Sequence, residues 1–371
     1  MRKIKSQEIL LDVVKKGRLD NLAFQMLDLN DVEDQLLQIP VSNCLFLDCA
    51  MSDQLNKYLR NENYLFPKLN VPFSIYPSGL YNRDSLYNGY DYNNPESYFS
   101  TPDRIVYDYY KKKGGAETRD IKETLARSLH DHSIYDAKRD FLTGYDERKI
   151  VAIMGGHKLR RDDGLFLQIA QLAKKLTEKG YLITTGGGPG AMEAAHLGAW
   201  LAGKTDSKLQ DAVNILSPAP IFSHPDWLKT AFIVLEKYPE TNFHSLGIPT
   251  WLYGHELSTP FATHIAKLFE NSLREEGLLA IAKGGVIFSP GSAGTLQEIF
   301  MDLAQNHYES YGFASPMLFL GKKYWTEDYP VFSLIKRLID AEKLNKIDLN
   351  IYDSNENIIH HLMKSNSEGH G

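Results

Sequence analysis

A carboxylate closing the string Pro290-Gly-Ser-Ala-Gly-Thr-Leu-Gln-Glu298 is the most pointed chemical feature of this sequence. The string follows the apolar run Gly285-Val-Ile-Phe288 and leads into a helical pattern over Gly294 to Gln305, so Glu298 falls near the start of a helix. Gly291 and Gly294 let the backbone approach a ligand, and Thr295 adds a hydroxyl beside the helix start. Helix amino-termini attract anions through their unpaired N–H groups and the helix dipole. The plain role of Glu298 is to complement that dipole, worth ~0.3–1 kcal/mol. Next to a bound anion, however, a carboxylate is awkward unless it faces a centre that becomes positive during reaction.

A second loop, Gly186-Gly-Gly-Pro-Gly-Ala191, also lies between a strand pattern and a helix pattern. Its glycines make a backbone-lined concavity suited to an anion. It matches G-x-G-x-x-A, but a dinucleotide fingerprint follows the first strand and is followed by an acid ending the next one; here the loop follows the second strand, and Asp206 lies in a polar stretch. A glycine turn serving only packing is the bland alternative. A third string, Gly198-Ala-Trp-Leu-Ala-Gly203-Lys204-Thr205, reads as a Walker A loop. Its context is reversed: Gly198 sits inside the helix that starts at Ala191, and Gly203 caps it. Metal chemistry has little support, because His130-Asp-His132 and His360-His361 lack helix-face spacing and cysteine partners and read as solvated. No Gly-x-Ser-x-Gly elbow opens a hydrolase triad.

The elements that must position these loops alternate. Strand patterns at Ile150-Val-Ala-Ile-Met154, Tyr181 to Thr185, Phe232 to Leu235, Pro249 to Leu252, Gly285 to Phe288 and Met317 to Leu320 are separated by helical patterns. Those helices are expected over Leu165 to Leu176, Ala191 to Ala202, Pro260 to Ala282, Gly294 to Gln305, Val331 to Glu342 and Asp353 to Met363. Such alternation implies a doubly wound, mostly parallel α/β sheet covered on both faces, over residues 146–371. Residues 1–145 read as a smaller α+β domain, with a helix at the amino-terminus, strands at Asn21 to Leu27 and Cys44 to Leu47, and helices at Val32 to Leu37 and Gln54 to Leu59. No internal repeat is evident in it. Nine of the 21 tyrosines crowd into Tyr76 to Tyr110, which reads as a loop-rich segment pinned by aromatic packing.

Bulk composition narrows the partners. A 371-residue chain with 43% hydrophobic and 24% charged residues is ordinary globular material, and no apolar run nears the ~18 residues needed to span a bilayer. Without a signal-peptide pattern, a cytoplasmic protein is expected. A net charge of −6 lacks the footprint of a nucleic-acid binder, and Lys111-Lys-Lys113 before Gly114-Gly115 reads as a solvated loop. Cys44 and Cys49 read as reduced, buried thiols. Eight of the 27 glycines fall at three strand-to-helix turns, those of Gly155-Gly156, Gly186 to Gly190 and Gly291 to Gly294. An acidic chain can therefore still hold a small phosphate through backbone amides.

Taken in order, Gly-Gly-Gly-Pro-Gly-Ala-Met192 and Pro-Gly-Ser-Ala-Gly-Thr-Leu-Gln-Glu298 make the chain resemble the Lonely Guy family, often mislabelled as lysine decarboxylases, and its relatives the nucleotide 5′-monophosphate nucleosidases. The resemblance covers about Ile150 to Met363. It implies a Rossmann-like fold, a phosphoribohydrolase that frees the base and ribose 5-phosphate from nucleoside 5′-monophosphates, no cofactor, and a homodimer or homotetramer. It also implies Glu298 and Arg274, in Asn271-Ser-Leu-Arg-Glu-Glu276, as the catalytic pair. Substrate is expected at Gly155, Gly156, His157, Gly187, Gly188, Gly190, Met192, Glu193, Gly291, Ser292, Gly294 and Thr295. Ser292 stands where the family's loop usually has glycine. Glycosidic cleavage passes through an oxocarbenium-like ribose, which a carboxylate can stabilise while it activates water. The alternative is a nucleotide-sensing protein that uses the same pocket without cleaving its ligand.

Overall fold

A computed structural model describes residues 1–312, 314–345 and 347–368. The chain divides into two compact units, one of residues 1–80 and 111–140, the other of 81–110 and 141–371. The first begins with β1 (Arg2–Ile4), α1 (Gln7–Val14), β2 (Leu19–Asp20), β3 (Leu22–Gln25), α2 (Glu33–Leu36), β4 (Val41–Ser42), β5 (Leu45–Leu47), α3 (Asp53–Leu59) and β6 (Tyr64–Phe66). Next come α4 (Arg83–Leu86) and α5 (Pro102–Lys112), then α6 (Ile121–Leu142). The second unit continues with β7 (Ile150–Met154), α7 (Gly164–Glu178), β8 (Leu182–Thr185), α8 (Ala191–Trp200), α9 (Asp206–Leu216), α10 (Trp227–Lys237), β9 (Ser245–Gly247) and β10 (His264–Ile265). It closes with α11 (Asn271–Leu279), β11 (Gly285–Phe288), α12 (Ala293–Tyr308), β12 (Met317–Leu320), α13 (Val331–Asp340), β13 (Leu349–Tyr352) and α14 (Asn355–Glu368).

In the first unit β1, β3, β5 and β6 pair in parallel in that order, and β2 pairs with β4. The register aligns Ile4, Phe24, Phe46 and Leu65 in one column, with the rings of Phe24 and Phe46 stacked 4.8 Å apart. The expected absence of a repeat is corrected here. Leu19 pairs with Val41, Ala23 with Leu45 and Asp28 with Ala50, each pair separated by the same length of chain. The corners repeat too: Asn21 and Asn43, then Met26 and Asp48, all adopt positive φ between 50° and 54°. Only inward size and corner geometry recur, with few shared identities, which hides the repeat from sequence comparison. The amino-terminal helix is also displaced, because Arg2–Ile4 is a strand and α1 starts after Ser6, whose hydroxyl accepts from the Ile9 amide.

The second unit is a seven-stranded, wholly parallel sheet in the order β10-β9-β8-β7-β11-β12-β13, a Rossmann-like α/β architecture. Strand order reverses between β7 and β11, which makes the crevice at their carboxyl ends the place where such sheets take ligands. The four-residue core strands are fully buried, as continuous apolar runs in a covered parallel sheet require. Helix α8 is buried along its whole length. At Gly198 it approaches α7 so closely that a Cβ would lie 2.1 Å from the Ala170 carbonyl oxygen. The Walker-like string is thus a helix–helix contact.

Three expected elements differ. Phe232 to Leu235 belongs to α10, whose buried Trp227, Leu228, Ala231, Val234 and Leu235 follow helical spacing. Pro249 to Leu252 is not a strand: only Thr250 bridges, to Leu268. Within Pro260 to Ala282 the chain first forms β10, where the Thr263 hydroxyl exchanges hydrogen bonds with the Ser245 backbone at 2.8 and 2.9 Å, and is helical only in α11. The lysine triplet, expected in a loop, closes α5 with Lys111 and Lys112. The tyrosine-rich stretch is pinned as expected: Tyr87 donates to the Ser258 carbonyl and, with Tyr90, packs on Phe232. Beneath it Lys267 is buried against Asp103 and donates to Ser258 Oγ at 3.0 Å. Cys44 is buried and Cys49 half-buried, and both are free thiols. No helix among the described residues is long and apolar enough to cross a membrane.

Candidate functional site

The three glycine loops meet at the carboxyl ends of β7, β8 and β11. The Gly156 amide donates to the Pro290 carbonyl at 3.1 Å, and the Ala191 amide donates to the Gly156 carbonyl at 3.1 Å. Gly190 is the crossing point: its φ is +71°, and a Cβ there would lie 2.4 Å from the Gly156 carbonyl oxygen. Helices α8 and α12 start from these loops with no side-chain cap, at Gly190 and Ser292 respectively. The opening amide of α8 is spent on the Gly156 carbonyl, whereas the first amides of α12 are left for another acceptor.

A cavity of ≈ 380 Å³ opens at this junction, within the size range of small-molecule sites. Of the residues predicted from sequence, Gly155, Gly156, His157, Met192, Arg274, Ser292, Gly294, Thr295 and Glu298 line it. Gly187, Gly188, Gly190, Glu193 and Gly291 do not appear in its lining. Gly187 packs on Ile248 and Pro249, and the Gly188 amide lies 3.4 Å from Met192 Sδ. Gly291 is held from behind by the Tyr324 hydroxyl, which donates to its carbonyl at 2.6 Å.

Glu193 is corrected most clearly. It is fully buried in a two-pronged ion pair with Arg161. Arg161 also donates to the Ala219 and Trp227 carbonyls and to Thr230 Oγ1, at 3.2, 3.0 and 2.8 Å, and lies over the Trp227 ring. This pair joins the loop after β7, helix α8 and the start of α10, and leaves no carboxylate oxygen for a ligand.

Gly186, from the second glycine loop, also lines the cavity, and sequence patterns missed Tyr253, Glu256, Glu275 and Gln297 there. Gly186 was legible as a loop glycine; its absent side chain makes room for Arg274, whose Nη2 would lie 2.1 Å from a Cβ. Tyr253 and Glu256 come from an irregular stretch without periodicity. Glu256 Oε1 lies 3.6 Å from His157 Nε2 across the cavity. Glu275 accepts from Asn271 Nδ2 at 2.7 Å and also from Gln297.

Arg274 reaches in from α11, as its helix placement predicts. Its Nε donates to the Ile248 carbonyl at 3.1 Å, and Nη1 lies 3.8 Å from Glu275 Oε1 and 3.9 Å from Glu298 Oε1. Burial pushes the Glu298 carboxyl up to about 7; Arg274 opposes this and Glu275 adds to it. A carboxyl poised there can take or give a proton at neutral pH. Thr295, buried beneath the loop, completes the wall.

Among the described residues no group of three or more His, Cys, Asp or Glu side chains is arranged to hold a metal ion. His132 and His360 are exposed, as expected of solvated histidines, whereas His130 is fully buried with a ring nitrogen 2.8 Å from Asp131, and His361 meets Asp348 at 2.8 Å.

No protein-family model matches the chain, and no curated protein matches it. Solved structures do. The chain is similar to the molybdenum cofactor binding protein of Rippkaea orientalis, at 18% identity over 58% of this chain and 95% of that one, with a TM-score of 0.34. Two structures of the molybdenum cofactor carrier protein of Chlamydomonas reinhardtii share 13% and 14% identity over 58% of this chain and 96% and 95% of theirs, each with a TM-score of 0.36.

Proposed function

We infer that this cavity hydrolyses the N-glycosidic bond of a nucleoside 5′-monophosphate. The observation that carries the reading is the pairing of Glu298, a carboxyl near 7, with the uncapped start of its own helix at Ser292 in one cavity. The order and sequence of the two glycine loops, shared with the phosphoribohydrolases described above, support it.

In this reading the phosphate sits on the amides opening α12, where the helix dipole and free N–H groups offset its charge without lysine. Glu298 then faces the ribose. As the glycosidic bond lengthens, positive charge grows on the sugar ring, and an ionised Glu298 stabilises it while drawing a proton from the attacking water. Arg274 sets how readily Glu298 ionises and offers its remaining donors to the phosphate. His157 and Glu256 supply a donor–acceptor wall for the base.

Incubating the protein with a panel of nucleoside 5′-monophosphates and separating the products by chromatography tests this. Free base and ribose 5-phosphate in equal amounts are expected from at least one. Tight binding of a monophosphate with no base released would replace hydrolysis by ligand sensing.

A further inference from the structure

A buried carboxyl group on α12 lies outside the cavity lining just described. Asp302 on α12 is fully buried, and both its carboxyl oxygens lack a hydrogen-bond partner among the described residues. One turn further on, Asn306 is also buried; its Oδ1 accepts from the Ser315 amide at 2.8 Å, while its Nδ2 is unpartnered. Glu298, Asp302 and Asn306 are four residues apart and share one face of the helix. Helical side chains lean towards the helix amino-terminus, so the Asp302 carboxyl leans towards Glu298 and the Asn306 amide towards Asp302.

Three orphaned polar atoms one turn apart, two acceptors and a donor, are what an internal water requires. An orphaned buried group is costly, so it calls for a specific partner. We propose that Asp302, as the uncharged acid, and Asn306 hold a buried water that donates to the Glu298 carboxylate from behind, making Asp302 a positioning residue for Glu298. The acid and Asn306 Nδ2 both donate to the water, and the water donates to Glu298. Burial alone raises the Asp302 carboxyl well above its ordinary range, in keeping with an uncharged acid. The groups that bear on Glu298 are Arg274 and Glu275 from α11, with His157 and Glu256 elsewhere in the cavity wall. Asp302 adds a contact from the remaining side.

This inference rests on Glu298 being the working carboxyl of the proposed hydrolysis, but its test does not. The carboxyl band of the full chain, without nucleotide, is followed by difference infrared spectroscopy across a pH titration, and Glu298→Gln identifies the Glu298 component. Asp302→Leu removes both the acid and its water, so the Glu298 titration is expected to rise by about one pH unit. A folded Asp302→Leu protein whose Glu298 titrates as in the native chain overturns the proposal. Should that variant not fold, a high-resolution crystal structure of the native protein decides: a water within hydrogen-bond reach of Asp302, Asn306 Nδ2 and Glu298 supports it, and apolar packing between Asp302 and Glu298 overturns it. A shifted titration in a protein that cleaves no monophosphate would sink the hydrolase reading alone.

Discussion

Arg274 stands 3.9 Å from Glu298 yet spends its Nε hydrogen bond on the Ile248 carbonyl. The ion pair is therefore loose. A close bidentate fork would hold Glu298 ionised at all working pH values; the observed geometry offsets only part of the burial penalty and leaves the carboxyl near neutrality.

Turnover should consequently rise with pH through about 7, as Glu298 ionises. Glu298→Gln should reduce turnover by about a hundredfold or more while a monophosphate still binds. Steady-state rates and calorimetry on the same preparation check both halves, and unchanged turnover would remove Glu298 from the mechanism.

The same group makes a stability prediction of opposite sense to an ordinary paired carboxylate. Because the folded value is raised from 4.5 to about 7, the unfolded chain ionises first, and stability from this group falls as pH climbs through that window. Glu298→Gln should therefore be more stable than the native protein at pH 8, by up to about 3 kcal/mol, with the gap closing by pH 4. Urea titrations at the two pH values measure it.

Replacing Arg274 with Met should move the pH midpoint of turnover further into the alkaline range, since the lost cation was lowering the Glu298 value. Gly186→Ala should act in the same direction at a distance, because its Cβ would occupy the space of the Arg274 guanidinium. A midpoint unmoved in both variants would show that Arg274 does not tune Glu298.

Arg161→Met strands the Glu193 carboxylate in the core and should cost about 3–5 kcal/mol of unfolding free energy. Adding Glu193→Leu should recover a substantial part of it, because no buried charge is then left alone. Equal losses in the single and double variants would argue that Arg161 matters for its three other hydrogen bonds.

Much of the site was legible because glycine-rich turns and helix starts are local signals. Glu298, Thr295 and Gly156 could be placed from the strings around them, and the parallel sheet from its runs of apolar residues. Tyr253 and Glu256 could not, because they stand in a stretch whose only order is tertiary. The four apolar residues at Phe232 imitate a strand, and their helical identity rests on Trp227 and Leu228 one turn earlier. Glu193, well placed at a helix start, was claimed by Arg161, thirty-two positions away in sequence, and no local pattern announces such a partner.

The coiled layout of the first unit fixes how its length can change. Its inward column runs through Phe24 and Phe46, and its corners through Asn21 and Asn43. Inserting one whole coil would extend that column by a rung and leave every corner in place, whereas a single residue added within β3 or β5, ahead of its phenylalanine, would turn that ring outwards. The strands and corners of this region can therefore be lengthened without loss of register in steps of a complete winding.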